Sequence, residues 1–429
     1  RRFGDAVRLE VADDCPDEMI SRLKHEFKLL DDDIYTCSGP VNLTRLTTVY
    51  DMIERADLKF PAFTPSRPLR LTRNKDMFDV IRRGDVLLHH PFQSFLPVTE
   101  FLFRAARDPD VLVIKQTLYR TGPDSPIVQA LVEAAREGKE VTVVIELKAR
   151  FGEEANIDLA NRLQEAGAHV VYGIVGHKTH TKMILVVRRE GKLLRRYVHL
   201  GTGNYHLVTA RLYTDYGLLT CDNTIGVDVQ KIFHQLTAPG RPGKLKKLLQ
   251  SPFTLHRTIL ELIRRESRVA RTGKSGRIIA KMNSLSEVQA IDALYEASCA
   301  GVKIDLIVRG VCALKRGVPG ISENIRVRSI VGRFLEHTRV FYFQKDGAQE
   351  LYISSAEWMG RNFFNRVETC CLIEDKRLRK RVLKEGLNNY LADNTRAWVL
   401  KSDGSYVRTR PGAVRGRDAQ LSLLDNLGR

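Results

Sequence analysis

The strongest constraint on how this chain folds is that part of it is written twice. Ala130-Leu131-x-Glu133-Ala134-x-x-x-Gly138 recurs as Ala293-Leu294-x-Glu296-Ala297-x-x-x-Gly301, and a β-branched run follows each copy at the same offset. The first copy lies in a stretch of helical spacing, Pro126–Gly138, between two continuous apolar runs, Asp110–Leu118 and Glu140–Leu147. The second lies in Glu287–Gly301, between Ile278–Met282 and Lys303–Val308. Short continuous apolar runs bounded by turns suit strands buried on both faces, and helices between successive strands suit α/β layers. Two similar α/β domains related by internal duplication are therefore predicted, each with a largely parallel sheet, packed about a pseudo-twofold axis.

A chain of 429 residues is too long for a single hydrophobic core. Two Pro/Gly-rich joints divide it, FPAFTPSRP at 60–68 and PGRPGKLKK at 239–247. The predicted domains are 1–66, 67–247 and 248–429, the first helical and mixed with an acidic stretch at Asp31-Asp32-Asp33. The start at Arg1-Arg2-Phe3, without Met or an apolar leader, suggests a piece of a longer protein. The tail from Ser402 is polar and glycine-rich and is expected to be mobile near its end. No run approaches the roughly 18 apolar residues of a membrane span. The seven cysteines show no C-x-x-C and no regular spacing, which argues against a zinc site or disulfides and for a reducing compartment. Cys370 and Cys371, in ETCCLI, read as core. A cytoplasmic protein is the expectation, with association at a membrane surface left open.

Net charge is +18 and the isoelectric point about 9.6, which attracts a polyanion: nucleic acid, an anionic membrane face or a phosphate polymer. Arg309 in KIDLIVRG and Lys115 in VLVIKQTLY sit inside apolar runs, where a merely solvated face would not place charge. Aromatics make up 7% of the chain and are not interleaved with basic residues, so no specific nucleic-acid partner is expected.

Each half carries a histidine followed two positions later by a cation. The first has His180-Thr181-Lys182, then MILVV, then Leu200-Gly201-Thr202-Gly203-Asn204. The second has His337-Thr338-Arg339, then VFYF, then Ser354-Ser355 and Asn362. Residues i and i+2 of a strand point the same way, so imidazole and cation project together, a nucleophile beside a holder of phosphate oxygens. Small polar residues after the following strand would let a phosphate approach backbone N–H groups and hydroxyls. His177, His199 and His206 have no counterpart in the other half and read as structural.

These paired H-x-K halves resemble the phospholipase D superfamily, whose members form a phosphohistidine intermediate. Over essentially the whole chain the resemblance is to polyphosphate kinase of the long bacterial type. It rests on HHPFQSF (89–95), VLVIKQTLYRTG (111–122), ELKARFGEEANI (146–157), KTHTKM (178–183), YVHLGTGNYH (197–206), ARLYTDYGLLT (210–220), SENIRVRSIV (322–331), RFLEHTRV (333–340) and YISSAEWMGRN (352–362). The resemblance implies two phospholipase D-like α/β domains preceded by part of a helical middle domain, with the family's N-terminal domain lacking. It implies reversible transfer of the terminal phosphate of ATP to inorganic polyphosphate, with His180 phosphorylated and His337 its catalytic partner. It places Tyr213, Arg309 and His337 on the nucleotide's phosphates and Arg120 and Arg150 at a Mg2+ site, in a protein expected to be a homo-oligomer.

Arginine is a donor-only cation and Mg2+ prefers oxygens, so backbone oxygens, phosphates and waters are expected to hold the ion, with Glu146, Glu153 or Glu154 contributing. The chain departs from phospholipases and nucleases in having no acid soon after Lys182. MILVVRR follows, and the next acid is Glu190. Anhydride transfer is therefore preferred over two alternatives, a phosphodiesterase acting on lipid or nucleic acid and a non-catalytic polyanion-binding module.

Overall fold

A computed structural model describes residues 5–71, 76–119, 121, 125–146, 153–174, 176–238 and 243–428. The chain forms two compact units, Arg1–Ala62 and Phe63–Arg429. In the first, β1 (Leu9–Ala12) pairs in parallel with β2 (Ile34–Cys37) across helix α1 (Asp17–Phe27), and a short helix α2 (Thr47–Met52) follows. Asp17 and Glu18 in the first turn of α1, with Lys24 and His25 in its last, suit the helix dipole.

The second unit begins with α3 (Met77–Arg82), β3 (Val86–His90) and α4 (Leu96–Arg107). Then come β4 (Val111–Leu118), α5 (Pro126–Arg136), β5 (Glu140–Ile145), α6 (Glu153–Glu165) and β6 (His169–Val171). After a two-residue strand β7 (Lys178–Thr179) the chain runs through β8 (Lys182–Glu190), β9 (Leu193–Gly201), a turn of helix α7 (Thr209–Leu212), β10 (Tyr213–Thr220) and α8 (Asn223–Thr237). The second copy follows with β11 (Leu248–Ser251), α9 (Leu255–Arg271), β12 (Arg277–Met282), α10 (Val288–Cys299), β13 (Lys303–Val308) and β14 (Ile325–Ile330). It continues through the short β15 (Leu335–Glu336), β16 (Arg339–Phe343), β17 (Glu350–Ser354), α11 (Gly360–Phe364) and β18 (Arg366–Leu372). It closes with α12 (Lys376–Val382), a π-helical turn, α13 (Asn389–Leu391), β19 (Ala397–Leu400), β20 (Tyr406–Arg408) and α14 (Ala419–Leu427).

The two large sheets have one design. The order β3-β10-β9-β8-β4-β5-β6 in the first repeats as β11-β18-β17-β16-β12-β13-β14 in the second, which β19 and β20 extend. Every pairing in one sheet has the same sense as its counterpart in the other. The repeated glycine earns its place: Gly138 and Gly301 have φ of 77° and 90°, the left-handed conformation that stops a helix cleanly before a strand.

The sheets are mixed, not largely parallel as expected. Within the repeated seven-strand order only β4-β5-β6 and β12-β13-β14 run parallel; the two-residue strands β7 and β15 add one parallel pairing each, with β18 and β10. The strands carrying the two H-x-cation motifs return through direct antiparallel connections, β8 into β9 across Gly191-Lys192, and such connections need no crossover helix. Alternation along β8 divides two cores: Ile184 and Val186 face the helical layer, while Met183 and Leu185 join a cluster with Ile279, Val340 and Ile353 of the other sheet. That shared cluster binds the halves face to face.

Two other expectations need correction. The tail is not a mobile end: Asp418 caps α14 by accepting from Gln420 and Leu421 N–H, and Ala419, Gln420 and Leu423 are buried. Lys115 brings no charge inward; its Nζ reaches Oε1 of exposed Glu140 at 3.1 Å. Cys370 and Cys371 are core residues. No described helix is long and apolar enough to cross a membrane.

Candidate active site

The two shortest strands build the site by leaving their own sheets. Strand β7 pairs with the start of β18, Lys178 opposite Arg366 and Thr179 opposite Val367. Reciprocally, β15 pairs with the start of β10, Leu335 opposite Tyr213 and Glu336 opposite Thr214. A histidine follows each short strand, so each half delivers its histidine to the other. The His180 and Thr181 N–H groups both donate to Val367 O, at 3.0 and 2.9 Å. The His337 N–H donates to Thr214 Oγ1 at 3.1 Å.

One residue further along each receiving strand is a carboxylate. His180 Nδ1 lies 2.8 and 2.9 Å from the oxygens of Glu368, and His337 Nδ1 lies 2.9 Å from both oxygens of Asp215. Sequence reasoning missed both acids. The available signal was a single acid, at the third position of the corresponding strand in each half, Tyr213-Thr214-Asp215 and Arg366-Val367-Glu368.

Three of the small polar residues expected to cradle phosphate, Thr202, Ser355 and Asn362, bond these acids. Ser355 Oγ and Asn362 Nδ2 donate to Glu368 at 2.6 and 2.8 Å, and Thr202 Oγ1 donates to Asp215 at 2.7 Å. A buried carboxylate has the stronger claim on a neighbouring donor, because leaving it unsatisfied is costly. Asp215 also explains Gly203: a Cβ there would lie 2.0 Å from Asp215 Oδ2.

Burial drives the electrostatics. It pulls His180 down to about 3 despite the opposing pull of Glu368. Burial alone would raise Glu368, but His180, Lys182 and the Ser355 hydroxyl outweigh it and hold the carboxyl at about 2. The pair is thus an ionised acceptor and a neutral imidazole that donates through Nδ1–H, with the lone pair on Nε2. Burial and then Arg339 lower His337, and Asp215 is held below its ordinary range against burial, mainly by His337.

The cations differ. Lys182 is buried, donates to His180 O and pairs with no carboxylate among the described residues. Burial pushes its amine down to about 7, and Arg339 and Arg366 push the same way. Arg339 is paired with Glu357 (Nε–Oε1 2.7 Å), donates to Thr202 O, and sets Nη1 3.2 Å from both ring nitrogens of His337.

Tyr213 and Arg309 gather on the His337 side. The Tyr213 ring centroid is 5.3 Å from that of His337. Arg309, just beyond β13, donates through Nε to Asn283 Oδ1 at 3.0 Å, and burial lowers its guanidinium below the ordinary value. Arg120 and Arg150 lie outside the described residues, as do the side chains of Glu153 and Glu154. Glu146 accepts the Thr179 N–H at 2.7 Å, and so steadies the segment before His180. Among the described residues no three His, Cys, Asp or Glu side chains are grouped to hold a metal ion. His199, bonded through Nδ1 to the Tyr205 hydroxyl at 2.9 Å, and His206, which accepts the Thr209 N–H through Nδ1 at 3.3 Å, have structural partners.

Three family models match the chain: the polyphosphate kinase middle domain at residues 1–49, its C-terminal domain 1 at 76–242 and its C-terminal domain 2 at 248–420. Polyphosphate kinase from Pseudomonas aeruginosa is 56% identical over 428 residues, covering 100% of this chain and 62% of that protein. The Burkholderia multivorans polyphosphate kinase is 59% identical over 428 residues, covering 99% and 62%. The crystal structure of polyphosphate kinase from Porphyromonas gingivalis superimposes with a TM-score of 0.87 at 34% identity, covering 98% of this chain and 64% of that one. The chain therefore spans somewhat under two thirds of the length of these relatives. With three domain models of one family placed along it and this identity maintained from end to end, the chain belongs to the polyphosphate kinase family.

Proposed function

We propose that the chain transfers the terminal phosphate of ATP reversibly to inorganic polyphosphate through a phosphorylated His180. The observation that carries this reading is the His180–Glu368 pair: a neutral imidazole oriented through Nδ1, whose Nε2 makes no hydrogen bond among the described residues, beside the Lys182 amine, which pairs with no carboxylate among them. Nε2 attacks the terminal phosphorus in line with the bridging oxygen, the N–P bond forms, and the P–O bond to ADP breaks with its electrons on ADP. The imidazole becomes cationic in that step, and ionised Glu368 stabilises the charge through Nδ1–H. The terminal oxygen of polyphosphate then attacks the same phosphorus and restores neutral His180.

ADP leaves as a stabilised anion, so cationic contact matters more there than proton donation. Arg309 supplies a rigid fork for phosphate oxygens, and Tyr213 and His337 complete that side. Mg2+ is proposed as the ion that ATP brings on its own phosphates, since guanidinium groups donate and do not ligate and the described carboxylates form no cage. No step is routed through it.

Incubation with γ-labelled ATP and polyphosphate, with and without excess chelator, tests the reading. Acid-labile, alkali-stable label on the peptide containing His180 is expected, and the chelator should prevent it. Hydrolysis of a phosphodiester without nucleotide would replace the reading by the phosphodiesterase, and tight salt-sensitive polyphosphate binding without label by the binding module.

A further inference from the structure

Helix α14 is the last element of the chain, and its one fully committed polar side chain reaches the segment carrying His337. Gln420 is buried, with 3% of its surface exposed. Its Nε2 donates to Phe334 O at 2.9 Å and to Glu336 Oε1 at 2.6 Å, while its Oε1 accepts the Phe334 N–H at 2.9 Å. One amide thus reads both backbone groups of a single residue and then clasps a carboxylate two residues on. The approach is close: a Cβ on Gly332 would lie 2.5 Å from Gln420 Oε1.

Glu336 passes the constraint on. Its other oxygen accepts from Lys281 Nζ at 2.6 Å and from Thr214 Oγ1 at 2.9 Å. Lys281 is buried over the Tyr390 ring, 3.5 Å from the centroid. The Thr214 hydroxyl in turn accepts the His337 N–H, and the next residue, Asp215, holds the His337 ring. An unbroken chain of hydrogen bonds therefore runs from Gln420 through Glu336 and Thr214 to His337. The segment before His180 is held by Glu146 of its own half, which accepts the Thr179 N–H.

We propose that Gln420 is a positioning residue that fixes the 334–336 segment so that His337 meets Asp215. Its consequence for turnover rests on the transfer chemistry proposed above, but its effect on the His337 ring does not. Gln420 does not touch His337 and acts only through its neighbours.

The whole chain, labelled at histidine Cε1 with carbon-13, is compared with Gln420→Met, which keeps length and removes the amide, and with Gln420→Glu, which sets a second carboxylate against Glu336. In Gln420→Met the His337 resonance should shift and titrate higher than in the parent, while that of His180 stays in place. The kcat for polyphosphate synthesis should fall about 10- to 100-fold, the cost of a misplaced group, with KM for polyphosphate unchanged. Gln420→Glu should be as poor at pH 8 but recover as pH falls toward 5, where its new carboxyl is protonated and donates to Glu336 again; the parent and Gln420→Met should show no such recovery. An unmoved His337 resonance in Gln420→Met, or equal displacement of both histidines in step with a lowered Tm, overturns the proposal. Absence of transfer in the parent chain would sink the proposed function instead, and the His337 resonance would still decide this one.

Discussion

The segments around His180 and His337 are copies, yet their ring nitrogens differ: both of those of His337 lie 3.2 Å from Arg339 Nη1, whereas His180 Nε2 makes no hydrogen bond among the described residues. Both follow a two-residue strand lent to the opposite sheet, and both meet a carboxylate there through Nδ1. They diverge at the cation. Arg339 is paired with Glu357 and sets Nη1 3.2 Å from both nitrogens of the His337 ring, whereas Lys182 donates to His180 O and pairs with no carboxylate among the described residues. In the reading proposed above, this difference in the cation separates attack by His180 from assistance by His337. The lesson is that a repeated motif need not be a repeated function, and that the side chain two residues away decides which.

The sharpest way to break this contrast is to remove each ring. His180→Ala should lower transfer by at least about 10^4-fold and abolish phosphoprotein, because the covalent route is lost. His337→Gln should reduce transfer yet leave label on His180 after long incubation; phosphate on the peptide containing His337, seen by mass spectrometry, would end the division of labour. Next come the acids. Glu368→Gln should cost about 10^2- to 10^4-fold in the rate of His180 labelling, as a misassigned tautomer does in other oriented imidazoles. Asp215→Asn should cost less in the same rapid-quench assay, and equal losses would show that the two rings share the work.

Arg309→Lys keeps the charge but loses the fork, and should lower kcat/KM for ATP about 10-fold with little change in Tm. The smallest effect is in pH. His180 is held at about 3, below its ordinary 6.5, so its labelling rate should stay level between pH 6 and 5, below the titration of Lys182 at about 7; a rate still falling there would mean a solvated ring. The sign for stability follows. A histidine whose pKa is depressed by folding contributes fully above 6.5, and that contribution drains away as pH falls from 6.5 toward 3. The Glu368 contribution is lost lower, between its ordinary 4.5 and about 2. Thermal melts should therefore decline between pH 6.5 and 4, below the range from 10.5 to about 7 over which depressed Lys182 loses its own contribution.

Much of this was legible in the letters. The helix-strand repeat, the strands at 111–118 and 303–308 and the paired H-x-cation motifs are local patterns, and local patterns survive in a linear reading. The acids did not. Glu368 is 188 residues from His180 and Asp215 is 122 from His337, and nothing in the intervening chain reports that the short strands change sheets. No acid close after Lys182 serves His180, because each histidine takes its carboxylate from the strand that the opposite half contributes. The tail was misjudged for a related reason: its polar composition hides Gln420, whose partners Phe334 and Glu336 lie more than 80 residues upstream.

The exchange of β7 and β15 between sheets also sets a schedule for biosynthesis. Domains of a growing chain fold from the N-terminus as they emerge. When the first sheet is complete at Thr220, His180 is present but its carboxylate and the strand that β7 needs have not yet been made. A nascent chain that stops anywhere before Arg366 therefore lacks both the strand that β7 pairs with and the carboxylate that orients His180.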